Sequence, residues 1–486
     1  MERERGLKIA RASLLVALLL YFAGSLGCAL LRQESERGFA RLPRPASSTD
    51  PGIRVLILNR PQLIMQAPPK GARTFETLTI QTLVPCELSS PDAPNDPDKR
   101  TQVRAGARLM IRPELSSGLL ISSGDFGQGG KELTWTVSRI WITPIATQPA
   151  AEANTRVRLD PAGFEAAGSA PSIAIGKNRY RGSFEIRWAG NREIAAVNCL
   201  PVEAYLEGVI GEEMSPGWPL EALKAQAIVS RGNAWAKRLR ARGSEQWFDI
   251  IDGSDDQEYR GATGSDICKR AVFETRGQIP LVHGSPFLAL FHASSGGRVG
   301  GVDAVWPGAK DSTGKSSLSG VMPPQADPWC NEAVQVLGLA ATHGTSTATI
   351  DPIDLRRELG KVLSASGRAV GYVKDVKVGR RDPVSQRVLS VMVHHSQGDP
   401  IEVPAFAFRK LIGEDILRST LWTPDSPRKY ESTAHRGHFL YDITCFGWGH
   451  GAGMSQVSAW LMAKQGFTAE RIVQRFYVGT NLGRLW

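Results

Sequence analysis

The stretch LEALKAQAIVSRGNAWAKRLRA, residues 220–241, restricts the fold of this chain more than any other. At helical spacing Leu220, Leu223, Ala227, Ile228 and Trp235 fall on one side, while Ala222, Ala225 and Val229 cover another. A helix apolar over most of its circumference has to be buried, so other layers must wrap it. Pro219 marks its start. Its polar exceptions, Lys224 and Arg231, stand seven residues apart on one face, where they either reach solvent or line a polar cleft with an acid in it. The helix alone leaves both open.

Just ahead lies GVIGEEMSP, residues 208–216, in which two adjacent carboxylates follow an apolar run and precede a proline that stops the element. Side chains of neighbours diverge, so Glu212 and Glu213 make a poor pair for a glycosidase that flanks its bond with two carboxyls. One carboxyl suffices for another route. An acid protonates a glycosidic oxygen, and its conjugate base then helps the sugar's own hydroxyl close on the anomeric carbon. That acid needs a raised pKa, which partial burial against Ile210 and Met214 would supply. Cations nearby would oppose the shift, so Lys224 and Arg231 would instead orient substrate oxygens or the carboxylate.

The pattern on either side defines the organisation. Residues 53–195 hold short runs such as FETLTIQTLV, ARLMIRP and RYRGSFEIRW, several alternating apolar and polar residues between Gly, Pro or Asn breaks, as half-buried strands do. After residue 196 the chain turns helical. The expected division is 1–31 signal sequence or membrane anchor, 32–52 linker, 53–195 β-rich domain, 196–302 helical core with strands, 303–350 loop-rich insertion, 351–445 α/β subdomain, and 446–486 a Gly-His block with two helices. In the subdomain a helix is expected at PIDLRRELGKVL, a hairpin turning at Asp382-Pro383, and a short helix at AFAFRKLIG. Near the end Gly466 should stop one helix and Thr468 start the next. The fold class is α+β, a mixed α/β chain.

Four basic residues, Arg3, Arg5, Lys8 and Arg11, precede the uncharged run Ala12–Leu31, the pattern of an export signal nearly long enough to span a bilayer. The chain should therefore work outside the cytoplasm, in the cell envelope, with a retained anchor ranked ahead of a cleaved signal and of a lipoprotein at Cys28. The net charge of +10 favours a polyanionic neighbourhood. Arg238, Arg240 and Arg242 form the densest basic run but lack interleaved aromatics, so they read as a solvated helix end and no nucleic acid is expected. The six cysteines show no C-x-x-C spacing.

Other chemistries are poorly served. The glycine-rich loop Gly447–Gly453 around His450 fits neither the dinucleotide fingerprint nor the P-loop, no G-x-S-x-G elbow occurs, and H-E-x-x-H is absent. His394, His395, His435 and His438 read as surface or strand histidines.

In order along the chain, RYRGSFEIRW, LPVEAYLEGVIGEEMSPGWPLEALKAQAIVSR, FHASSGGR and GWGHGAGMSQVSAWLMAKQGFTAERIVQRFYVGT resemble the stage II sporulation protein D and amidase-enhancer LytB family. That resemblance implies a lytic transglycosylase of peptidoglycan glycan strands, preferring strands stripped of stem peptides and leaving 1,6-anhydro-muramyl ends. It implies Glu213 as the acid, with supporting roles for Lys224, Arg231, His292, Ser294, Ser295, His450, Ser455 and Gln456. No cofactor is implied. The partners it suggests are peptidoglycan strands and a cell-wall amidase, with membrane attachment through the N-terminal segment; the alternative role is a non-catalytic enhancer of that amidase. Two departures stand out: Ser215 intervenes between Met214 and Pro216, where the family often has proline directly, and Ala293, Ser294 and Ser295 stand where some members carry zinc-binding cysteines, so no metal is expected.

Overall fold

A computed structural model describes residues 51–57, 77–114, 118–122, 135, 137–145, 171–190, 193–244, 246–253, 256–305, 318–363, 369–433 and 437–486. The expected signal segment and most of the linker lie outside these residues. Among the described residues no helix is long and apolar enough to cross a membrane.

The N-terminal part is a β structure, as its alternation predicts. A seven-stranded sheet runs in the order Ile250–Ile251, Gly52–Ile57, Glu193–Pro201, Ser183–Gly190, Arg139–Pro144, Cys86–Ser89, Arg100–Val103, and a five-stranded sheet accompanies it. The strand Glu193–Pro201 is buried along almost its whole length and feeds directly into helix α1, Val202–Glu213. Pro201 stands at the N-cap with φ fixed at −59°, which presets the first turn. Helix α2, Leu220–Arg242, starts the same way after Pro219 and ends at Gly243 with Arg240 and Arg242 in its last turn, where they suit the negative end of the dipole.

As its pattern requires, α2 is enclosed. It packs against α1, against α3 (Asp266–Glu274), against the strand Gln278–Val282, and against the two C-terminal helices. Its Leu223, Ile228, Val229 and Trp235 are at most 1% exposed, each contributing roughly 1.5–3 kcal/mol of burial. The basic end of α2 is bound into the fold: Arg238 donates to the Gly52 carbonyl at 2.7 Å and lies over Trp235, and Arg242 pairs with Asp249.

The segment read as surface loops holds more order than its composition predicts. It carries α4, Pro328–Val336, and the strand Thr345–Ile350. Helix α4 buries Cys330, Ala333 and Val334 in a small apolar cluster with Val457, Trp460 and Leu461. Three apolar positions at helical spacing are too faint a signal among Gly, Ser and Thr to be read without their partner. Beyond it, α5 (Pro352–Leu363), the hairpin Val373–Arg381 and Val388–His395 turning at Asp382-Pro383, and α6 (Ala405–Ile412) form where the sequence places them. They share a separate core built on Leu359, Val391, Phe408, Trp422 and Ile443. The C-terminal helices are α7, Gln456–Lys464, and α8, Ala469–Phe476, with Gly466 at φ +87° between them and Thr468 capping the second. The chain is thus an α+β protein. The five cysteines among the described residues are all buried free thiols.

Candidate active site

Glu213 is the last residue of α1, so its carrier is a helix end. Met214, 2% exposed, anchors the exit. The inserted Ser215 is accommodated by a tight turn in which Trp218 donates to the Ser215 carbonyl at 2.9 Å and Gly217 to its hydroxyl at 3.3 Å. The departure from the family pattern therefore leaves the helix end intact.

The two glutamates part. Glu212 is exposed and pairs with Arg260 at 3.1 Å. Glu213 turns inward and is half-buried, its Oε1 accepting from the Glu258 amide at 2.8 Å and its Oε2 from the Gln456 side chain at 3.2 Å. Burial pushes its pKa up to about 7; the amide bond works against this, and the nearby charges of Glu258 and Glu212 add to it. The C-terminal position on α1, at the negative end of the dipole, acts in the same direction. Glu258 is held by its neighbours, since Tyr205 donates to the buried Gln257, Gln257 donates to the Ser230 carbonyl, and Tyr259 donates to Asn198. The polar stretch DIIDGSDDQEYRGATGSD reads as a loop in the sequence, but only the tertiary fold brings its Glu258 to Glu213, 45 positions away.

A testable consequence concerns stability. An unfolded chain releases this proton near 4.5, whereas the folded protein holds it to about 7. The folded state binds more protons in that window, so the contribution of Glu213 is complete below about 4.5 and is lost as pH rises through 7. The stability of the wild type relative to Glu213→Gln should fall across that window when followed by urea midpoints; a flat or rising difference would rule out the raised pKa.

The other side of the site is the C-terminal block. Phe291–His292 pairs in parallel with Met454–Ser455, placing His292 opposite Ser455, and the next residue, Gln456, reaches Glu213. The rings of His292 and His450 lie 5.6 Å apart. His292 donates through Nδ1 to the Ala452 carbonyl, and its buried Nε2 has no hydrogen-bond partner among the described residues; His450 Nδ1 accepts from the Ala452 amide, and the His450 ring also bonds the Phe291 backbone. Burial lowers both pKa values, that of His450 to about 3, and the Arg409 and Arg387 charges push His450 the same way. Both imidazoles are neutral at pH 7 and add no charge that would draw the proton from Glu213.

The glycine loop is a packing device. The amides of Gly447, Trp448, Gly449, Ala452 and Met454 are all bonded within the fold, so they do not form an anion cradle. Gly451 has φ +84°, and a Cβ there would stand 2.1 Å from Arg387 Cζ. Arg387 is fully buried, donating to the Ser295 and Arg298 carbonyls and to the Ser419 and Thr420 hydroxyls. It fastens the 345–446 region to the Ser295–Arg298 segment and packs against Gly451, a role no local motif announces. Gly451→Ala is expected to destabilise the protein by about 2–4 kcal/mol, overpacking plus left-handed strain. Chemical denaturation checks this, and a loss below about 0.5 kcal/mol would mean that the guanidinium swings clear.

The remaining sequence candidates sit apart. Lys224 bonds Glu221 at 2.7 Å and Glu274 at 3.4 Å. Arg231 is buried against Glu203 at 2.7 Å. Neither makes a contact with Glu213 among the described residues, because α2 turns these side chains toward α3 and the chain terminus. Ser294 donates to the His343 carbonyl at 2.7 Å, and Ser295 to Asp327 at 2.7 Å. Among the described residues no group of three His, Cys, Asp or Glu is arranged to hold a metal ion. His395 and His438 bond within the 345–446 region, and His435 lies outside the described residues.

A half-buried carboxyl titrating near neutrality at the end of α1, joined through Gln456 to the C-terminal block that carries the neutral His450, defines a candidate acid–base centre in an α+β protein. Residues 190–281 match the SpoIID family, described as stage II sporulation protein, so the chain carries the domain that its motifs imply. It is 25% identical to the amidase enhancer of Bacillus subtilis over 303 residues, 57% of this chain and 40% of that protein. It is likewise 25% identical to stage II sporulation protein D of Bacillus subtilis over 303 residues (59% and 76% of the two chains), and 26% identical to that of Bacillus amyloliquefaciens over 305 (59% and 75%). The match thus spans less than half the length of the amidase enhancer.

Proposed function

We propose that this protein is a peptidoglycan lytic transglycosylase of the cell envelope, acting outside the cytoplasm on glycan strands stripped of stem peptides. The observation that carries the reading is the Glu213 carboxyl, lifted to about 7 at the mouth of α1 and held by the Glu258 amide and Gln456. At that pKa both protonation states are populated at neutral pH, which suits one group that acts as acid and then base. Protonated Glu213 gives its proton to the glycosidic oxygen as the C1–O bond breaks. The resulting carboxylate takes the proton of the sugar's own hydroxyl as that oxygen closes on C1, leaving a 1,6-anhydro end and regenerating the acid. Neutral His292 and His450 place no positive charge beside the developing oxocarbenium. No cofactor enters this cycle.

The second reading is a non-catalytic peptidoglycan-binding enhancer of a cell-wall amidase, favoured by the relative named amidase enhancer. Intact and peptide-stripped glycan strands incubated with the protein, with products identified by mass spectrometry, separate the two. Anhydro-muramyl ends formed by the wild type and by Glu212→Gln support the first. Binding to strands without any product supports the second.

A further inference from the structure

Two helices in this fold carry good capping residues that do not cap. Asp327 stands at the N-cap of α4 and Ser455 at the N-cap of α7, and neither side chain accepts a hydrogen bond from its own helix. Each forgoes the local stabilisation that a side-chain cap gives. Their side chains turn instead into one buried cluster. The Asp327 carboxylate oxygen Oδ2 accepts from Ser295 at 2.7 Å and from Ser458 at 2.8 Å, while the Ser455 and Ser458 hydroxyls lie 2.9 Å apart. Asp327 is 2% exposed, and its Oδ1 accepts no hydrogen bond among the described residues. A buried polar network that overrides two local preferences points to a functional demand on its geometry.

The demand lies one residue on. Ser455 is followed by Gln456, the first residue of α7, whose amide donates to Glu213 Oε2 at 3.2 Å. We infer that Asp327 is a positioning residue for Glu213: through Ser458 and Ser455 it fixes the first turn of α7, and so aims Gln456 at the carboxyl. Release of Ser455 would let it cap its own helix and re-set that turn. Arg387 reinforces the clamp by donating to the Ser295 carbonyl. The inference rests on the proposed role of Glu213 for its importance, but its geometry can be read without substrate.

The test measures the titration of Glu213 by NMR of protein carrying 13C-labelled glutamate, with Glu213→Gln assigning the signal, alongside kcat and KM on stripped strands. Asp327→Ala should raise the Glu213 midpoint by about one pH unit, since the anion loses a donor, and should lower kcat about 10-fold with KM within about twofold. Asp327→Asn, which keeps the size and one acceptor oxygen, should restore both. If Asp327→Ala does not fold, Ser458→Ala carries the test with an upward shift of the same sign. A variant with a lowered melting temperature but an unchanged Glu213 midpoint would overturn the inference and leave Asp327 a purely structural group. If the wild type cleaves no strand while the midpoint still moves, the functional reading fails and the positioning stands; an active wild type with an unmoved midpoint is the reverse.

Discussion

Glu213→Gln should slow strand cleavage by about 10²–10⁴-fold, the usual contribution of a positioned acid–base group. The amide keeps the size of the side chain and can still accept from the Glu258 amide, so binding of strands should survive. What it loses is the proton delivered to the glycosidic oxygen and the base that recovers one. In the wild type the rate of the first step should decline as pH rises through about 7, because the reacting form is the protonated carboxyl. Glu212→Gln should be nearly silent, since that side chain is exposed and pairs with Arg260 on the surface. Rates from product analysis over pH 5–9 decide the matter. Equal losses in both variants would dismiss the asymmetry, and unimpaired cleavage by Glu213→Gln would dismiss the acid.

The largest expected effect on stability is at Arg231. Its guanidinium meets Glu203 with two bonds, Nε to Oε1 at 3.0 Å and a terminal nitrogen to Oε2 at 2.7 Å, and also donates to the Gln278 carbonyl at 2.8 Å. Glu203 accepts in addition from the Gly277 amide and the Trp486 indole. Both side chains are almost wholly enclosed. Arg231→Ala leaves a buried carboxylate without its cation and should cost about 3–5 kcal/mol, read as a shift in urea unfolding. Replacing both partners, Arg231→Met with Glu203→Leu, should recover much of that loss, because no charge is then stranded. The same variant tests the supporting role implied by family resemblance. Cleavage per folded molecule should be unchanged in Arg231→Ala if its task is to hold α1, α2 and the C-terminus together, and a loss of activity without a loss of stability would return it to the substrate.

How far the sequence reached depends on the range of the forces involved. The buried helix α2, its start after Pro219, the hairpin turning at Asp382-Pro383 and the stop at Gly466 were legible because each is set by residues within one or two turns of one another. The inserted Ser215 raised a doubt that local turn chemistry resolves. The identities of Glu213, His292, His450 and Gln456 as candidates came from motif blocks. Their assembly was out of reach, for Gln456 meets Glu213 across 243 positions. Lys224 and Arg231 share a helix face, yet which acid each would find depended on where Glu221, Glu274 and Glu203 came to lie.

The sequence by itself therefore determined the β-rich half, the enclosed helix, the export-type N-terminal pattern and the family-type motifs, all carried by periodicity, capping and short-range sterics. Tertiary structure alone decided which glutamate is desolvated, that the histidines are neutral, and that Asp327 and Arg387 stand behind the site. The physical reason is that burial and Coulomb interaction act through space, and a carboxyl acquires a pKa near 7 only when distant segments close around it.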